Sequence, residues 1–103
     1  MFCVGSKIIF ADGRVAIARN GADIVRILSM GSNITSIACK ADSLALNIEF
    51  SDSAVSEICW LNADLGEKFT LNVDGITFDD VQKIAVCFMD TGEKAAGYAW
   101  EKA

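Results

Sequence analysis

Two carboxylate motifs are the places where this sequence could do acid–base chemistry. Asp79-Asp80 is an adjacent pair, and Asp90-Thr91-Gly92 follows the apolar run Ile84-Ala85-Val86-Cys87-Phe88-Met89. Neighbours on a strand point to opposite faces, so Asp79 and Asp80 would not converge on one substrate there. At the start of a helix, acidic side chains meet the positive end of the backbone dipole, and that is the expected role of the pair. Histidine is absent, which removes every Ser-His-Asp and Cys-His arrangement and the commonest general base. No glycine-rich phosphate cradle occurs. Cys3, Cys39, Cys59 and Cys87 are 36, 20 and 28 residues apart. Structural zinc sites are built from close cysteine pairs, so neither a metal nor another cofactor is expected. The four thiols are expected to be reduced and buried, as small hydrophobes.

The triplet Asp90-Thr91-Gly92, with its apolar lead-in Cys87-Phe88-Met89, resembles the active-site motif of the aspartic proteases. That resemblance implies an all-β homodimer in which two Asp90 carboxylates share one proton. It covers the triplet alone. In that family the motif lies in the first third of the chain and a later apolar-glycine segment supports it, whereas eleven residues follow Gly92 here. A plain turn explains the same letters, since Asp and Gly are ordinary turn formers.

The 103 residues leave room for one domain. A chain of this size buries roughly 65% of the surface it exposes when unfolded. With 52% hydrophobic residues and a mean hydropathy of +0.36, it should fold, with apolar surface left over for a partner. No apolar run approaches the ~20 residues needed to cross a bilayer, and residues 1–10 lack the features of a secretory signal. No membrane association and a cytoplasmic location are therefore expected, which makes the sequon Asn33-Ile34-Thr35 a chance occurrence. Charge is uneven. Residues 1–50 carry five basic and four acidic groups, while residues 51–103 carry four lysines against ten carboxylates. That balance argues against nucleic acid and favours a protein partner of basic character.

The elements that would position these groups are read from turn signals. The expected class is mainly β, or α+β with one short helix, built of antiparallel hairpins forming a small sandwich or barrel. Asp12-Gly13 predicts a hairpin with Phe10 facing Val15 and Ile8 facing Ile17. Asp74-Gly75 predicts another over Lys68–Phe78, with Val73 facing Ile76 and Leu71 facing Phe78. The alternation Leu44, Leu46, Ile48, Phe50 predicts a strand with one solvated face, paired with Ile34–Lys40. Val55–Leu61 reads as a further strand. Lys83–Met89 and Ala95–Trp100 read as a last hairpin around Asp90–Lys94. Asn20-Gly21-Ala22-Asp23 is open: either a turn into a strand, or a helix start with Asn20 as N-cap and Gly31 after its end. Asp79–Gln82 reads as a single helical turn.

Together these features predict a non-enzymatic protein-binding domain, of inhibitor or immunity-protein type, that occludes its partner through an acidic surface. The candidate binding residues are Asp79, Asp80, Asp90, Glu93 and Trp100, with Trp60 and Tyr98 as further candidates for an aromatic platform. The alternatives are a self-assembling structural subunit and an aspartic-type hydrolase using Asp90. A homodimer is expected, through the ribbon Lys83–Trp100 and away from Asp79-Asp80.

Overall fold

Alternation along the chain builds one seven-stranded sheet in the computed structural model, which describes residues 4–30, 33–52 and 54–103. The strands are β1 (Val4–Phe10), β2 (Val15–Ala18), β3 (Ile34–Ala41), β4 (Leu44–Ser51), β5 (Ala54–Asn62), β6 (Glu67–Leu71) and β7 (Trp100–Lys102). Their spatial order is β2-β1-β3-β4-β5-β6-β7, and every neighbouring pair is antiparallel. Helix α1 (Gly21–Met30) links β2 to β3 across β1, and helix α2 (Phe78–Thr91) links β6 to β7. The helices pack on each other, and α2 also touches β1, β3 and β4. The mainly antiparallel class holds. The second layer is a helix pair rather than a second sheet.

One face of the sheet carries the core. Ile8, Ile37, Leu46, Ile48, Ile58 and Leu71 are buried there beneath Ile24, Leu28, Val81, Ile84 and Phe88 of the helices. The alternation in β4 is as expected, with Leu46 and Ile48 buried and Leu44 and Phe50 packed beside them. β3 pairs with β4 through Ala41↔Leu44, and the turn residue Asp42 takes a left-handed φ of 53° that Asp tolerates. Ser6 is the one buried polar side chain among the described residues; its hydroxyl accepts a bond from the Cys39 thiol at 3.3 Å.

Three expectations need correction, each for a physical reason. The Asp12-Gly13 hairpin forms, but Ile9 faces Val15 and Lys7 faces Ile17. The Gly13 amide bonds the Phe10 carbonyl at 2.9 Å, and Gly13, not Asp12, has positive φ. That is a type I turn with a glycine bulge, one residue longer than a type I′ loop. A slip of one residue moves side chains to the other face, so Val15 and Ile17 stand 51% and 56% exposed away from the core.

The second correction concerns Asp74-Gly75. The turn is real: the Ile76 amide bonds the Val73 carbonyl at 3.1 Å, and Gly75 alone has positive φ, as in a type II turn. The chain after it does not return along β6. Instead it enters α2 at Phe78, so the pairs Val73–Ile76 and Leu71–Phe78 do not form within a ladder. The third correction follows from the second. Lys83–Met89 lies inside α2, and Val81, Ile84, Ala85, Phe88 and Met89 are its buried stripe at helical spacing. The ribbon Lys83–Trp100 therefore does not exist, and no interface can run through it.

Both helices start on side-chain caps. The Asn20 carboxamide oxygen accepts the Asp23 amide at 2.8 Å, which resolves the open segment as a helix; Gly31 lies outside the described residues. For α2, the Thr77 hydroxyl accepts the Asp80 amide at 3.2 Å while the Asp80 carboxylate accepts the Thr77 amide at 2.9 Å. This reciprocal pair satisfies two donors that the first turn leaves free. Replacing Thr77 by Ala should cost about 1 kcal/mol, while Thr77→Ser, which keeps the hydroxyl, should cost a few tenths at most. Urea denaturation of both variants checks it, and equal losses would show that the cap is not what starts α2.

Candidate functional site

Helix α2 decides where the acidic candidates go. Asp79 and Asp80 stand in its first turn and Asp90 in its last, roughly 16 Å apart at the ordinary helical rise. Glu93 follows the helix end. The four carboxylates therefore do not form one patch. Asp80 is committed to structure: one oxygen caps Thr77, and the other accepts the Tyr98 hydroxyl at 2.8 Å. The Thr77 amide, the Tyr98 hydroxyl and the Thr77 hydroxyl together hold its carboxyl below the usual value of 3.8.

The triplet Asp90-Thr91-Gly92 is the end of a helix. Gly92 takes a left-handed φ of 76° as the C-cap and its amide bonds the Phe88 carbonyl. The Thr91 hydroxyl donates to the Cys87 carbonyl at 2.7 Å and accepts the Glu93 amide at 3.1 Å. Because α1 and α2 run antiparallel, Asp90 lies against Gly21 at the start of α1. A Cβ on Gly21 would stand 2.7 Å from its carboxylate oxygen. The negative charge thus faces the favourable end of one helix dipole while sitting at the unfavourable end of its own.

The aromatic candidates are also largely absorbed by the fold. Trp60 is buried and its indole N–H donates to the Gly92 carbonyl at 3.0 Å. Lys94 caps that ring, its ammonium 3.9 Å from the Trp60 centroid and 4.2 Å from that of Phe69. Trp100 is half-buried, with its N–H on the Ala95 carbonyl. Cys39 and Cys59 are buried and free, and Cys87 is free but half-buried; Cys3 lies outside the described residues. Burial pushes the Cys39 thiol up to about 11. Among the described residues no cluster of side chains is suited to hold a metal. No helix there is long and apolar enough to cross a membrane.

What the structure assembles instead is a groove of about 330 Å³ between the β4–β5 hairpin and the start of α2, with mostly apolar side chains in its wall and polar groups exposed among them. Phe50, Ala54, Val55, Val73, Ile76 and Phe78 form most of its wall. The Phe50 and Phe78 rings stand 6.5 Å apart, and Phe78 is 44% exposed. Asp52, Asp74 and Asp79 adjoin these wall segments in the chain and are exposed. Asp79 and Asp80 are thus the sequence candidates that adjoin the groove wall in the chain, and the Asp80 carboxylate is already bonded to Thr77 and Tyr98. The Asp74-Gly75 signal puts Val73, Ile76 and Phe78 in a strand pairing, so nothing in the sequence marks them as a surface. A second hollow of about 360 Å³ at the β1–β2 turn is lined by Phe10, Asp12, Arg14 and Asn33. The Arg14 guanidinium there is already held by Asp12 at 2.6 Å.

Compared with protein-family models, curated proteins and solved structures, the chain matches none. The functional reading therefore rests on its own residues.

Tyr98 is the only tyrosine, which makes the Asp80 contact directly measurable. Desolvation first, then the bond to Asp80 and its charge, push the phenol up to about 12. A phenol whose folded value exceeds its unfolded value of 10 stabilises the fold below pH 10 and loses that contribution as pH rises through 12. Asp80 has the opposite sign: its lowered carboxyl stabilises above about pH 4 and loses that contribution as pH falls through the folded value. Ultraviolet titration of the native protein should find the phenol near 12, and Asp80→Asn should bring it down toward 10. An unchanged midpoint in the variant would mean that Tyr98 and Asp80 do not touch in solution.

Proposed function

We propose that the chain is a protein-binding module that takes an apolar side chain from a cationic segment of its partner into the groove at the start of α2. The observation that carries this is the pairing of an exposed apolar wall with free acidic charge. The carboxylates of Asp52, Asp74 and Asp79 make no hydrogen bond or ion pair among the described residues. A wall bearing Phe50, Val55, Ile76 and Phe78 favours an aliphatic or aromatic anchor. The rim then favours Lys or Arg beside that anchor and disfavours acidic neighbours. Occlusion of a basic surface, as an inhibitor or immunity-type protein would achieve it, fits this pattern, and a cytoplasmic partner is the natural setting for reduced thiols.

The magnitudes point to modest strength. One anchored side chain contributes about 1.5–3 kcal/mol, and each exposed ion pair about 0–1 kcal/mol. One groove should therefore bind a short peptide at a millimolar to high-micromolar level. A library of random peptides selected on the immobilised full chain should enrich sequences with one apolar residue flanked by Lys or Arg. Their binding should weaken with added salt. Ala54→Arg, at an exposed position in the groove wall, should abolish it without loss of stability. Enrichment of acidic or charge-free peptides, or binding indifferent to Ala54→Arg, would sink this reading.

A further inference from the structure

The helices cover one face of the sheet and leave the other open. Strand register sets that open face out in three rows. The middle row reads Ile17, Lys7, Ala38, Asn47, Cys59, Thr70 and Glu101 from β2 to β7. Toward the Asp42 turn lie Lys40 and Lys68, beside Ala45 and Leu61. Toward the Asp52 turn lie Glu49 and Glu57, beside Ile9 and Val15. Glu49 and Glu57 are directly opposite each other, an arrangement that destabilises a strand pair. No ion pair among the described residues engages any of these four charges. Cys59, at the centre, is 5% exposed, yet it faces away from the helices; flanking side chains shield it rather than a second layer.

We infer that this helix-free face is the contact between two copies of the chain, stacked with their strands antiparallel about a two-fold axis along the middle row. Charge selects that axis. A two-fold axis parallel to the strands would set lysine rows on lysine rows and glutamates on glutamates. The axis across the strands lays each lysine row over the partner's glutamate row, with Lys40 nearest the partner's Glu49 and Lys68 nearest the partner's Glu57. Ala38, Asn47 and Cys59 occupy the centre of the axis and permit the usual ~10 Å approach of packed sheets. Lys7 and Glu101 lie on the axis row itself and so meet their own copies in the partner; both are exposed and stand toward the lateral margins, where water screens these like charges. Seven strands at about 4.8 Å spacing give roughly 600 Å² of face per copy, about 1,200 Å² in all, the lower end of stable interfaces. The groove at the start of α2 lies outside this face, so the inference does not depend on it.

Charge reversal tests this directly, with sedimentation as the readout and circular dichroism to confirm folding. The unaltered chain should sediment as a dimer at micromolar concentration. Lys40→Glu with Lys68→Glu should weaken self-association at least about tenfold, and so should Glu49→Lys with Glu57→Lys. Mixing the two double variants should restore a dimer, because the reversed rows are complementary only to each other. Ala38→Arg, on the axis, provides an independent disruption should either double variant fail to fold. A monomer at the highest soluble concentration overturns the inference. So does a dimer indifferent to Ala38→Arg, or a mixture of folded double variants that stays monomeric.

Discussion

The reciprocal bond between Thr77 and Asp80 marks where helix α2 begins, and the rest of the fold is arranged around that helix. The next segment, Val81-Gln82-Lys83-Ile84-Ala85-Val86-Cys87-Phe88-Met89, contains enough β-branched and aromatic residues to serve as a strand. Fixing two backbone donors at its start favours a helix, and burial of one apolar stripe completes the choice. As a helix it presents Val81, Ile84, Ala85, Phe88 and Met89 along one stripe. That stripe, with Ile24, Ile27 and Leu28 of α1, closes over the sheet. The same Asp80 carboxylate then anchors Tyr98, which brings the chain back to lay Trp100 beside Leu71 as the edge strand. One side chain thus links the start of α2 to the closing of the sheet, and is not available to a partner.

Much of this is legible in the residues. The alternation of β4, its pairing with β3, the strand over Val55–Leu61 and the Asn20 cap can be read because each rests on local chemistry. Lys83–Met89 reads as a strand only while two patterns are kept apart. Thr77-x-x-Asp80 is a capping-box spacing, and Val81, Ile84, Ala85, Phe88 follows the helical rather than the alternating period. The apolar run inside it is too continuous for period two to be excluded by eye. Asp74-Gly75 misleads for a different reason. An Asp-Gly pair shows where the chain turns but not which element comes next, and a type II turn leads into a helix as readily as into a strand.

The candidate site is less legible than the fold, because it is made of residues that local rules assign elsewhere. Phe50 and Val55 come from a hairpin, Val73 and Ile76 from a turn, and Phe78 from the first position of a helix. Only their meeting at one corner makes a groove. The acidic candidates fail in the opposite way. Asp79, Asp80, Asp90 and Glu93 look clustered along the sequence, yet a helix of fourteen residues spreads them over its two ends. Asp80 and Asp90 then serve the helix termini they meet, which is the commonest use of an aspartate there.

The one-residue slip at the β1–β2 turn alters more than register. Had the loop been two residues long, Ile17 and Val15 would have joined Ile8 and Phe10 under α1, and the open face would have kept few large apolar groups. The glycine bulge sends them outward instead, beside Ile9. A sheet covered on one side only, with apolar residues at one margin and its charges sorted by row, is matched to another surface of the same design. Antiparallel stacking would then point the two α2 grooves toward opposite ends of the assembly. Two weak sites so placed cannot both engage one short peptide. They can hold two separated basic segments of a larger partner, and avidity would then supply the strength that a single anchor in a shallow groove lacks.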